Sequence, residues 1–148
     1  MINENMKATG RLNIVLKDSD GKVKDTREVD NLVVTDGLTF ICSRMAGTSS
    51  AVMSHMAIGS GTTAAAAGDT TLGSELHRES LDSTTPSANT IEYVSSFEAG
   101  EGTGAVTEAG IFNAASGGDL LCRTVFSVVN KAANDTMSIT WTITLTAS

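Results

Sequence analysis

The segment "MSITWTITLTA", Met137 to Ala147, fixes more about the fold than any other stretch of the chain. Met137, Ile139, Trp141, Ile143 and Leu145 fall on one side of an alternating pattern, and Ser138, Thr140, Thr142, Thr144 and Thr146 fall on the other. A period of two sustained this long is incompatible with a helix and specifies a strand with one core face. The opposite face carries hydroxyls and no charge, which suits water or a neighbouring protein surface.

The same period recurs upstream. In "GRLNIVLKDSDGKVKDTREVDNLVV", Leu12, Ile14 and Leu16 alternate with Arg11, Asn13, Val15 and Lys17, and "DSDGK" supplies the turn of a hairpin. "AVMSHMAIG" reads as a buried strand, "LHRESLDST" and "NTIEYVSSFEA" as further strands, and "DSTTPSAN", with Pro86, as a turn between them. "GAVTEAGIFNAASGGDLLCRTVFSVV" gives two strands around the glycine hairpin "ASGGD". The period changes once: Leu38, Ile41, Cys42 and Met45 fall at helical spacing, with Thr35 or Asp36 able to cap the start and Gly47 the end. Aromatics are only 4%, so Val, Ile, Leu and Met must fill the core, which favours strands and turns. Seven to nine strands predict an all-β, mainly antiparallel fold of β-sandwich or jelly-roll-like type, with one short α-helix near residues 35–46. At 148 residues the chain fits one domain, residues 9–148, preceded by a polar arm, residues 1–8.

Charge and cysteine use exclude several classes. The formal charge is −7, and from Glu79 to Ser148 eight acidic residues face only Arg123 and Lys131, so no nucleic-acid partner is expected. No apolar run approaches the roughly 20 residues of a membrane helix, so no membrane partner is expected either. The N-terminus lacks a signal-peptide core, pointing to synthesis and retention in a cytosol. Cys42 and Cys122 belong to no CxxC pair and read as buried, reduced thiols.

The motifs that could carry chemistry are incomplete. Gly59, Gly61 and Ala64 in "IGSGTTAAAAGDTTLGSEL" match a dinucleotide fingerprint, with Glu79 about 20 positions on, but Gly68 stops the alanine run after one turn and no second βαβ unit follows. A surface loop is the better reading, and no cofactor is expected. His55 and His77 lack the spacing of a metal motif, so no metal is expected, and no nucleophile elbow or placed triad gives a catalytic residue. Glu75 with Arg78, and Glu108 with Arg123 across the "ASGGD" hairpin, form candidate structural ion pairs.

Four phrases in order, "NLVVTDGLTFICSRMAG", "MAIGSGTTAAAAGDTTLGSELHRESL", "FEAGEGTGAVTEAGIFNAASGGDLLCRTVF" and "MSITWTITL", resemble a family of small tailed-bacteriophage virion proteins. The likeness runs from about Asn31 to Leu145. It implies a structural protein without enzymatic activity: a head-decoration (cement) protein that binds the major capsid protein and copies of itself, as a homotrimer, on the exterior of a virion made in a bacterial cytoplasm. The alternative it implies is a tail-fibre or baseplate component for host attachment; small size and the absence of a repeat favour decoration. The candidate interface residues are the arm Met1, Ile2, Asn3, Glu4, Asn5, Met6 and Lys7, the hairpin tip Lys17, Lys22 and Lys24, and the hydroxyl face Thr140, Thr142 and Thr144.

Overall fold

The computed structural model describes residues 5–48 and 50–147. Among them the alternating C-terminal segment forms strand β9 (Thr136–Ala147), which lies between β1 (Met6–Lys17) and β6 (Thr90–Phe97). The remaining elements are β2 (Val23–Val33), α1 (Thr35–Met45), β3 (His55–Gly59), β4 (Glu75–Ser80), β5 (Ser83–Ser87), β7 (Gly104–Phe112) and β8 (Leu120–Lys131). All pairings are antiparallel, in the order β4-β3-β7-β8-β2-β1-β9-β6-β5. The all-β fold with one short helix is therefore the one the sequence predicts.

This nine-stranded sheet curls on itself, and two strands make the corners. β2 pairs with β1 over most of its length, but its last residues, Leu32 and Val33, pair with Arg123 and Cys122 of β8. At the other side β4 pairs with β3, and after Leu81 and Asp82 the chain continues as β5 against β6. Two sandwich-like halves result, joined by strands that change neighbours at a bend. Side chains close the seam beyond the β2 and β8 pairing: Arg27, held by Asp25, donates to the carbonyls of Ser127 and Val128 at 2.9 and 3.0 Å.

The core fills the space between the halves. Trp141, opposite Leu12 and Tyr93, is fully buried with Phe97, Ile139 and Met137, in one core cluster with Met56, Ile58 and Ile111 of the facing half. Its indole N–H donates to Asn31 Oδ1 at 3.0 Å, satisfying the one polar group of a side chain otherwise valued for apolar area. A second, smaller cluster of Val34, Ala57, Leu72, Phe112 and Leu120 lies under the loop 60–74. β7 is accordingly buried on both faces, from Val106 to Phe112.

Five local readings are corrected. The arm is shorter than residues 1–8, because Met6, Lys7 and Ala8 are already strand, paired with Ala147, Thr146 and Leu145; Met1, Ile2, Asn3 and Glu4 lie outside the described residues. Pro86 is not in a turn but in the edge strand β5, opposite Ile91, where a missing N–H is tolerated. The turn follows it, at Ala88 and Asn89. Neither Thr35 nor Asp36 caps α1; Val34 is the N-cap residue without a side-chain bond, and Asp36 instead accepts the Leu120 N–H at 2.8 Å. Cys122 is buried as expected, but Cys42 is exposed, because it sits on the outer side of α1. Lys24 is no free hairpin-tip charge: its ammonium lies 2.7 Å from Asp135 in the β8–β9 turn.

Candidate functional site

The glycine-rich stretch is a loop that closes on itself, with Ser60 N–H donating to Ser74 O at 2.8 Å across its neck. Beneath it lies Glu108, which a shift of register between Val106 and Glu108 turns toward the loop side of β7. The Glu108 carboxylate is fully buried and accepts the N–H groups of Gly61 (2.6 Å), Gly73 (2.7 Å) and Ser74 (2.7 Å). Arg123, displaced diagonally on β8, adds Nε at 3.1 Å and Nη2 at 3.0 Å to the same carboxylate. The guanidinium then reaches Asp69 at 2.8 Å and the Thr63 carbonyl at 2.9 Å, both within the loop. Thr107 Oγ1 donates to Gly61 O at 2.7 Å.

The glycines thus receive an anion after all, and it is the protein's own. A Cβ on Gly61 would collide with Glu108 Oε2, so the backbone approach that a dinucleotide site reserves for pyrophosphate is used here for a carboxylate. Burial pushes the Glu108 pKa up, but the N–H groups of Gly73, Ser74 and Gly61 together with Arg123 outweigh it and hold the group below the ordinary carboxylate range. Asp69 is also held low: Ala66 N–H and Arg123 overcome its desolvation. Both oxygens of Glu108 are engaged, so the cluster fastens the loop and leaves no acceptor for chemistry.

The other expected pair, Glu75 and Arg78, forms separately at 2.7 Å. The Arg78 guanidinium lies 3.6 Å from the centre of the Phe112 ring and donates to the carbonyls of Ala114 and Gly117, tying β4 to the glycine hairpin. The four residues serve two fastenings, Glu108 with Arg123 at the loop and Glu75 with Arg78 at the glycine hairpin, and among the described residues no bond between the two pairs joins them into one network.

The proposed interface positions are scattered over the sandwich. Thr140, Thr142 and Thr144 lie half-buried on the outer face of β9, in rows with Asn13 and Val94, Arg11 and Glu92, and Thr9 and Thr90. Arg11 there bridges Glu28 at 3.0 Å and Asp30 at 3.8 Å. Lys17 and Lys22 flank the β1–β2 turn and are exposed, whereas Lys24 is engaged.

Sequence reasoning missed a different surface. Between α1 and the β5–β6 hairpin opens an apolar cleft of about 660 Å³, walled by Phe40, Met45, Val52, Ile91, Tyr93 and Leu145. Met45 is 78% and Val52 58% exposed, beyond what single surface residues need. Burial and the nearby Cys122 push the Tyr93 hydroxyl up to about 12, so it stays neutral in the wall. Arg44, which donates to Ser50 O at 2.9 Å, is the one charged residue at the rim among the described residues. The helical spacing of Ile41 and Met45 was visible, but nothing local told that the sheet would leave that helix partly uncovered.

No protein-family model, curated protein or solved structure matches the chain.

Proposed function

We propose that this chain is a bacteriophage virion structural protein, a capsid decoration (cement) protein that docks on the major capsid protein shell and on copies of itself as a homotrimer. The observation that carries the reading is the cleft beside α1. It presents exposed methionine and aliphatic surface with a nearly uncharged rim on a chain of net charge −7, which is the chemistry of a protein-docking surface. Its occupant in this reading is an apolar side-chain cluster of the shell subunit. The uncharged hydroxyl face of β9 supplies a second surface for neighbouring copies, and the acidic remainder keeps particles dispersed. The ordered phrases that resemble tailed-phage virion proteins support the same assignment.

Cosedimentation of the purified chain with shells assembled from the major capsid protein tests it. Saturable binding is expected, with loss in Val52→Asp. A folded chain that never sediments with shells overturns the proposal.

A further inference from the structure

His77 and Glu79 are two apart on β4 and therefore project from the same face of the strand. The β6–β7 turn brings Glu101 to them, and the three ligand atoms lie within 4.8 Å of one another. We propose that His77 Nε2, Glu79 and Glu101 form a binding site for one divalent transition-metal ion, Zn²⁺ foremost.

The ligand set is of mixed type, one imidazole and two carboxylates, which suits Zn²⁺ and its neighbours better than Ca²⁺ or Mg²⁺, whose shells are built from oxygen alone. Metal–ligand bonds of about 2.0–2.2 Å in a tetrahedral site put ligand atoms roughly 3.3 Å apart. His77 Nε2 and Glu79 Oε2 stand at 2.8 Å, so they need to open by only about half an ångström, and Glu101 needs to close by a side-chain adjustment.

The groups are also held. The His77 ring meets Phe97 edge to face, with centroids 6.1 Å apart, and Phe97 is fully buried. The turn that carries Glu101 is shaped by Gly102, at φ +68°, where an added Cβ would collide with the Ile58 side chain. Glu101 Oε2 accepts the Glu98 N–H at 2.8 Å, which leaves its other oxygen for a metal. All three groups keep about a third of their surface or an intermediate share in solvent, so an ion can enter, and water can complete the coordination. Lys131, the cation near Glu101, is buried and donates to Glu98 O at 2.8 Å, so it lies beneath the site and does not fill it. Loading takes the lone pair of His77 Nε2, so the ring proton moves to Nδ1. The ion would staple the corner strand β4 to the β6–β7 turn.

Thermal unfolding of the full chain with Zn²⁺ alone tests the site. With Zn²⁺ at about a hundred times Kd, the midpoint should rise by roughly 5–10 °C, at one equivalent by titration calorimetry, with Mg²⁺ giving no rise. Glu101→Gln and His77→Gln should retain the metal-free midpoint within a few degrees and lose the Zn²⁺ shift, while His55→Gln keeps it. The His77 imidazole proton resonances should move with Zn²⁺. No shift in the wild-type chain, or a shift that survives in both Glu101→Gln and His77→Gln, overturns the proposal; if His77→Gln fails to fold, Glu101→Gln and the resonances decide.

Discussion

Replacing Glu108 strikes the point where the loop 60–74 is fastened to the sheet. In Glu108→Ala, the N–H groups of Gly61, Gly73 and Ser74 lose their acceptor and Arg123 keeps only Asp69 and the Thr63 carbonyl. Removing one partner of a buried charge pair costs about 3–5 kcal/mol, and orphaned donors keep the loss at the upper part of that range. For a domain of this size each kcal/mol moves the midpoint by about 2–4 °C, so a drop of roughly 8–20 °C is expected. Glu108→Gln is nearly as damaging, because N–H donors face both carboxylate oxygens and an amide nitrogen would meet donors in either orientation. Replacing both charges, as Glu108→Met with Arg123→Met, recovers only part of the loss, since the three backbone donors remain. The chain's one tryptophan, Trp141, is buried and reports urea unfolding by fluorescence; the midpoint should fall with the m-value unchanged. A shift below about 2 °C for Glu108→Gln would refute the reasoning.

Gly61→Ala, whose Cβ would meet Glu108 Oε2, should destabilise by about 1–3 kcal/mol, whereas Gly68→Ala, in open space, should stay within about 0.5 kcal/mol in the same urea titration. Glu108, Asp69 and Asp135 all have native pKa values below their unfolded ones, Asp135 chiefly through Lys24 and the Ala132 N–H. The stability they contribute is complete above about pH 5 and is lost as pH falls through the lower native values, so the urea midpoint should hold from pH 7 to about 5 and then drop, less steeply in Glu108→Gln. Arg27→Met removes the donors to Ser127 O and Val128 O and should cost about 1 kcal/mol, with faster amide exchange in β2 and β8.

Strand existence was legible wherever one face is solvated and the other buried, as in β1 and β9, because alternation encodes that geometry directly. β7 was readable as a strand but not as one buried on both faces, since the cover comes from Leu72 in a loop distant in sequence. Pro86 reads as a turn residue by composition, yet edge strands accept proline, and whether a strand is at an edge is a tertiary fact. Glu108 and Arg123 were found as a pair because a hairpin brings its own arms together; that Gly61 and Gly73 converge on the same carboxylate depends on the loop's closure. The apolar cleft and the His77, Glu79 and Glu101 cluster join segments with no local signal of proximity.

Copy number in purified virions bears most directly on the proposed role. Quantitative mass spectrometry of particles carrying this chain should find hundreds of copies, in fixed proportion to the major capsid protein. A handful of copies in multiples of three or six would contradict it.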